Sequence, residues 1–288
     1  MRDKVRASLV QMEIVSLQPK KNASRMKEFI ENIFDNGGAD LILFPELANT
    51  GYVQLLDQDF GREFLKCAEP IPGYTTDILG KLAKKHQTYI VVGLAQIHPR
   101  IPGTIYNSMV LIGPQGEILG IHHKLHIPDE EKHYFYSGST LEVYQTEIGN
   151  IGMSVCWDNL FPELPRILAL KGMEILCSSY SWGKPTSPHK RVTYIPTRFR
   201  CFSMMHAISN RVYVMACNAV GKYDGHDFDG HSAIAGPDGD TLAYADKDGE
   251  EEVLFAEFSN DHLLEMRAVS PVFRDRRPEL YGLLSEPF

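Results

Sequence analysis

Along its whole length this chain alternates short β-branched or apolar runs with segments of helical period, and nothing between them reads as a linker. The runs fall at Val5–Gln11, Leu41–Phe44, Tyr89–Ala95, Ser108–Ile112, Ile151–Val155, Ile175–Ser178, Val212–Cys217, His231–Ala235 and Val253–Phe258. Between the first two, Met26, Phe29, Ile30, Ile33 and Phe34 recur at three-and-four spacing on one helical face. Asn22 stands where a cap is needed, and Asn36-Gly37-Gly38 ends the segment. A second helix is predicted after Thr75-Thr76, burying Ile78, Leu79, Leu82 and Ala83. A third runs from Phe161-Pro162 to Gly172, and a long one covers Thr193–Ser209. Pro114-Gln115-Gly116 and Pro237-Asp238-Gly239 are turn signals joining hairpin strands. The pattern predicts an α/β domain with a mixed sheet covered by helices. With 288 residues, 43% of them hydrophobic, the chain can bury a large core. One domain over residues 1–260 is expected, followed by a polar extension at 261–288 that packs on a partner subunit.

The charge balance and cysteine usage narrow the class. Net charge is −8 and Lys/Arg form no stripe, so no nucleic-acid partner is implied. The start lacks the apolar core of a signal peptide, and no apolar run reaches the roughly 18 residues of a membrane span. The five cysteines are scattered without a CxxC pair. Neither a disulfide framework nor a zinc cage follows, and a reducing cytoplasm is the expected location.

In α/β proteins polar chemistry collects just beyond the carboxyl ends of strands, where the scaffold is rigid and the loops are open. Three segments place an ionisable residue there. In Leu41-Ile42-Leu43-Phe44-Pro45-Glu46 an apolar strand runs into a carboxylate that is either a surface-loop acid or a general base. His122-His123-Lys124-Leu125-His126 is either a solvated basic patch or a fixed ammonium facing an anionic intermediate. The strand-and-loop setting gives His122 and His126 no helical i,i+4 pairing, so a metal site is not supported. In Gly152-Met153-Ser154-Val155-Cys156-Trp157-Asp158, Cys156 ends a strand ahead of the helix opened by Phe161-Pro162-Glu163. That position is expected to favour the thiolate, and the N–H groups beyond it are aimed to bind an oxyanion. Cys177 and Cys217 lie in apolar strand runs and Cys67 and Cys201 in helical surroundings, which marks them as structural.

Taken in order, these segments resemble the nitrilase superfamily of carbon–nitrogen hydrolases over nearly the whole chain. The resemblance is carried by Leu-Phe-Pro-Glu46-Leu followed by Thr50-Gly51-Tyr52, by His-Lys124-Leu-His-Ile-Pro, and by Cys156-Trp-Asp with Phe-Pro-Glu163. It continues through Ser-Asn-Arg211-Val-Tyr-Val, Gly-His-Ser-Ala-Ile-Ala-Gly-Pro-Asp-Gly and Arg-Arg-Pro-Glu-Leu-Tyr281. It implies a four-layer α-β-β-α sandwich and a Glu-Lys-Cys triad of Glu46, Lys124 and Cys156. The family's second glutamate falls on Glu131, with Glu130 beside it. The implied reaction is cleavage of a small amide through a cysteine acyl-enzyme, without metal or organic cofactor. Lys124 and the Trp157 backbone N–H would hold the oxyanion, and Tyr52, Trp157 and Trp182 would wall the pocket.

The segments Cys-Trp-Asp…Phe-Pro-Glu and Glu-Lys-His-Tyr-Phe are similar to the carbamoylputrescine amidase branch and to small-amide amidases. Leu160 stands where many relatives carry a carboxylate-binding arginine, with Arg198 as a substitute, and Asp158 favours amide over nitrile. Acyl transfer, nitrile hydrolysis or a non-catalytic relative are the competing readings. The Gly/Pro/Ser-rich stretch Trp182–Lys190 is expected at the pocket rim. By the same resemblance, Pro162–Lys171 and the tail with Arg276, Arg277 and Tyr281 are expected interfaces of a homodimer or higher homo-oligomer.

Overall fold

Pleating sorts each strand's side chains between two cores, because successive Cβ atoms point to opposite faces. The computed structural model of the chain describes residues 1–53, 58–184, 197–223 and 225–287. One six-stranded sheet runs in spatial order β15 (Glu252–Ser259), β1 (Lys4–Gln11), β2 (Leu41–Leu43), β3 (Tyr89–Ile97), β4 (Ile105–Ile112) and β5 (Ile118–His123). The other six-stranded sheet runs β14 (Thr241–Tyr244), β13 (Ala233–Ala235), β10 (Tyr213–Asn218), β8 (Ile175–Tyr180), β7 (Gly149–Val155) and β6 (Val143–Thr146). A smaller three-stranded sheet joins β11 (Val220–Tyr223), β12 (His226–Asp229) and β9 (Gly183–Lys184).

The two large sheets are mixed and face each other. Val5, Ala7 and Leu9 of β1 meet Tyr213, Met215 and Cys217 of β10 in the core between them. On the far side of the first sheet, Val10, Ile42 and Val92 pack under α1 (Pro19–Asp35) and α3 (Tyr74–His86), through Met26, Ile30, Leu79 and Ala83. On the far side of the second, Leu176 and Val214 pack under α4 (Glu163–Leu170) and α5 (Arg198–Asn210), through Leu164, Leu168 and Ala207. The result is an α-β-β-α sandwich. Two further helices, α2 (Gln58–Cys67) and α6 (Asn260–Val269), lie outside that layering, and no helix among the described residues is long and apolar enough to cross a membrane.

Each predicted strand is present, with ends shifted by at most three residues. Asn22 corrects the expected cap. The helix begins a turn earlier, at Pro19, and Asn22 is wholly buried inside it. Its side chain bonds Val15 N at 2.9 Å, and Val15 O and Asn49 O at 2.8 Å each, so it tethers two loops instead of a helix end. Thr75 and Thr76 lie within the first turn of α3, where Thr76 Oγ1 accepts from Gly73 N at 2.7 Å. Of the predicted helix over Thr193–Ser209, residues 193–196 lie outside the described residues, and α5 covers most of the rest. The start of the expected extension is anchored. Leu263 of α6 is buried, and Arg267 donates to Met173 O at 2.9 Å and to Arg211 O at 3.2 Å.

Candidate active site

Three strand ends from both sheets converge. Glu46 follows β2 and Lys124 follows β5 in the first sheet, while Cys156 follows β7 in the second. The turn carrying Glu46 presses on β3 at Gly93, where a Cβ would stand 2.5 Å from Pro45 O and 2.6 Å from Glu46 Cα. No other residue fits that approach, and the contact is bonded by Gly93 N→Pro45 O at 3.1 Å and Ala48 N→Gly93 O at 2.7 Å.

Lys124 is buried, so it is no solvated patch, and its ammonium sits between two buried carboxylates. Nζ lies 2.9 Å from Glu46 Oε1 and 2.8 and 2.7 Å from the two oxygens of Glu131. Burial alone would lower the lysine pKa, but the fields of Glu131 and then Glu46 outweigh it and hold the ammonium well above its ordinary value. Lys124 therefore stays charged throughout neutral pH. Glu46 is held at both oxygens, by Asn107 Nδ2 on Oε1 at 2.7 Å and by Ser181 N on Oε2 at 2.7 Å. The Tyr52 hydroxyl donates to Glu131 at 2.5 Å, and its own pKa is raised well above normal by burial and by Glu131.

Cys156 lies beside this group at φ 45°, a left-handed conformation that costs a non-glycine residue about 1–3 kcal/mol. Polar neighbours hold the turn. Asn159 Nδ2 donates to Cys156 O at 3.2 Å, Ser154 Oγ donates to Asn159 Oδ1 at 2.9 Å, and Asp158 accepts from Val155 N at 3.2 Å. The expected thiolate-favouring helix terminus is corrected here. Residues Cys156–Leu160 form a short 3-10 turn, and α4 starts beyond it at Glu163. Burial pushes the Cys156 thiol well up, the Glu46 carboxylate adds to that, and Lys124 only partly opposes them. With two carboxylates against one ammonium, a resting thiolate would add a second net negative charge to a buried site. The sulfur is a thiol until a base takes its proton.

The carbon–nitrogen hydrolase family model matches residues 6–268. The chain belongs to the carbon–nitrogen hydrolase family. It is 36% identical over 261 residues to the N-carbamoylputrescine amidase of Solanum lycopersicum, covering 86% of this chain and 84% of that one. To a probable nitrilase of Schizosaccharomyces pombe it is 30% identical over 288 residues, 99% of this chain and 100% of the relative. The crystal structure of a carbon–nitrogen hydrolase from Helicobacter pylori superposes with a TM-score of 0.86 at 29% identity, covering 99% of each chain.

Within this carbon–nitrogen hydrolase the remaining expectations sort as follows. Trp157 and Trp182 stand with ring centroids 6.0 Å apart, beside the Cys156 turn and beyond β8. The backbone N of Trp182 is fixed by Asn218 Oδ1 at 2.9 Å. Of the rim stretch Trp182–Lys190, residues 185–190 lie outside the described residues, and Gly183–Lys184 form β9. Glu131, on the turn after Lys124, is the second glutamate in contact with the ammonium, beside Glu46. His122 Nε2 and His126 Nδ1 converge on the Asp158 carboxylate, at 3.2 and 2.8 Å. Arg198 corrects its assignment as a carboxylate binder, because its guanidinium is buried against Asp229, with contacts of 2.7 and 3.2 Å, and donates to Trp182 O at 2.9 Å. Asn107 and Ser181 were missed. Asn107 carried a signal, as a polar side chain inside the apolar run of β4. Ser181 holds Glu46 through its backbone N–H on Oε2 and its hydroxyl on the backbone carbonyl at 2.9 Å, and carried none.

Proposed function

We propose that this protein hydrolyses the C–N bond of a small linear amide or N-carbamoyl amine through a thioester on Cys156, releasing ammonia. The observation that carries the proposal is the buried Lys124 ammonium held between Glu46 and Glu131, with the Cys156 thiol beside Glu46. Glu46 takes the thiol proton as sulfur adds to the carbonyl carbon. The resulting oxyanion is held by Lys124 Nζ and the Trp157 N–H, and loss of one such donor typically costs about 3–4 kcal/mol. Glu46 returns the proton to nitrogen, the C–N bond breaks and ammonia leaves. Water, deprotonated by the same carboxylate, then adds to the thioester, and the C–S bond breaks as the proton returns to sulfur. A carbamoyl substrate gives a carbamic acid that loses carbon dioxide to leave the amine. Glu131 orients the ammonium and Tyr52 orients Glu131, while Trp157 and Trp182 wall the pocket.

The substrate is proposed to lack a carboxylate near the scissile carbonyl. Leu160 cannot pair with an anion and the Arg198 guanidinium is engaged by Asp229. The similarity to the N-carbamoylputrescine amidase of Solanum lycopersicum, whose named substrate is an uncharged urea on a cationic amine, supports the same choice. A homo-oligomer is proposed on the exposed apolar residues of neighbouring helices, Ile167 and Leu170 on α4 with Met204, Met205 and Ile208 on α5. The test is ammonia release from a panel of carbamoyl amines, carbamoyl amino acids and simple aliphatic amides, with Cys156→Ala alongside. Turnover by a folded Cys156→Ala protein would remove the nucleophile assignment.

A further inference from the structure

We infer that Asp158 is the positioning residue that sets Lys124 against Cys156 during turnover. This rests on the Glu46-Lys124-Cys156 reading above. Asp158 is wholly buried two residues beyond the nucleophile, and its carboxylate spans two separate pieces of chain. On the nucleophile's side, Oδ2 accepts from Val155 N at 3.2 Å, closing the strained turn around Cys156. On the other side, Oδ1 accepts from Leu125 N at 3.2 Å and His126 N at 2.9 Å, the N–H groups directly after Lys124. The rings on either side of the lysine join in. His126 Nδ1 lies 2.8 Å from Oδ1 and His122 Nε2 lies 3.2 Å from Oδ2. A carboxylate only accepts, so both ring nitrogens carry hydrogen, and these donors hold Asp158 ionised, well below the ordinary carboxyl range. His126 is itself stacked on Phe161 with centroids 3.7 Å apart, which fixes its ring to the segment leading into α4.

The consequence concerns the second sheet's relation to the first. Lys124 is tied into its own sheet by Lys124 N→Asn107 O at 2.8 Å, and its carbonyl accepts from Gly138 N of the following loop at 2.8 Å. Cys156 belongs to the opposite sheet. Asp158 bonds one to the other, and the reaction needs that register, because the ammonium must meet an oxygen attached to the carbon that sulfur attacks. A misplacement of about 1 Å in such a pair can cost about 100-fold in rate.

Asp158→Asn is nearly isosteric, but its NH₂ must face donors on one side of the bridge, so one side opens. The expected result is a kcat lower by about 100-fold with KM within about 3-fold. Alkylation of Cys156 by iodoacetamide should stay within about 3-fold of wild type, since displacement at a methylene forms no oxyanion and does not need Lys124. A kcat within about 3-fold of wild type overturns the inference, and so does an alkylation rate that falls in proportion to kcat, which would mean general disruption of the turn. If Asp158→Asn does not fold, His126→Phe serves. It keeps the ring on Phe161 and the backbone donor, loses the Nδ1 donor, and should lower kcat about 10-fold with unchanged alkylation. The same two results overturn the inference there. Turnover by Cys156→Ala would sink the nucleophile reading itself, whereas full activity of the Asp158 variant beside an inactive Cys156→Ala would sink this inference alone.

Discussion

Both carboxylate oxygens of Glu131 lie within hydrogen-bonding distance of Lys124 Nζ, at 2.8 and 2.7 Å, and the ammonium is fully buried between that residue and Glu46. Such a cluster is stable only as a whole. Burial already raises the Glu131 pKa above its ordinary 4.5, and Lys124 is the main group that opposes the rise, helped by the Tyr52 hydroxyl. Lys124→Met leaves two facing carboxylates without a cation, and breaking a buried pair in this way costs about 3–5 kcal/mol. The sign of its pH dependence follows. A carboxyl whose pKa is raised on folding holds its proton more tightly in the folded chain, so stability is greatest at low pH. It is lost as pH rises from the ordinary value through the raised one. Thermal melts of Lys124→Met should therefore fall from pH 5 to pH 8 more steeply than those of wild type. A variant that melts like wild type across that range would contradict the buried-pair account.

The Cys156 thiol makes a spectroscopic prediction. Burial and then Glu46 raise its pKa well above the ordinary 9.0, so no resting thiolate should absorb near 240 nm at neutral pH. The difference spectrum between wild type and Cys156→Ala should stay flat up to pH 9. A titration step below pH 7.5 would show that the sulfur is ionised at rest and that Glu46 is not needed as its base.

Asn107 supplies a third test. Its Nδ2 donates to Glu46 Oε1 at 2.7 Å, while its backbone carbonyl accepts from Lys124 N at 2.8 Å. Asn107→Ala removes the first contact and keeps the second. A hydrogen bond to a charged group is worth about 1.5–3 kcal/mol, so kcat should fall by about 10-fold or more with the fold retained. Unchanged kcat would mean that Lys124 and Ser181 N suffice to aim the Glu46 carboxylate.

Much of this was legible in the sequence for one physical reason. Glu46, Lys124 and Cys156 each stand just beyond a strand, and strand ends are where an α/β scaffold exposes its polar chemistry. The alternation of helical and strand periods gives a mixed sheet covered by helices, whereas the four-layer sandwich follows only from the resemblance to the nitrilase superfamily. What escaped depends on contacts far apart in the sequence. The Arg198–Asp229 pair spans two elements, so Arg198 looked available for a substrate. Asn22 obeys a local capping rule that loops at Val15 and Asn49 override by offering buried backbone partners. The helix expected just after Cys156 starts only at Glu163, beyond a 3-10 turn, and burial and a neighbouring carboxylate set the thiol's state. The helix α6 buries only Leu263 among its residues, too little apolar periodicity to announce itself.

The proposed homo-oligomer makes the last prediction. Ile167 and Leu170 on α4 are 41% and 47% exposed, and Met204, Met205 and Ile208 on the adjoining α5 are 37%, 39% and 45% exposed. Both helices use their other faces to cover the second sheet, so these side chains form one outward apolar surface. A clustered surface of this kind is a cost to a monomer in water, and a twofold pairing would cover it with the same surface of a second copy. Light scattering on the full chain should give a multiple of the 32.5 kDa chain mass. Ile167→Glu combined with Ile208→Glu places like charges across such a pairing and should shift the mass toward one chain. A wild-type mass of a single chain, at concentrations where the enzyme turns over, would refute the assembly while leaving the chemistry at Cys156 untouched.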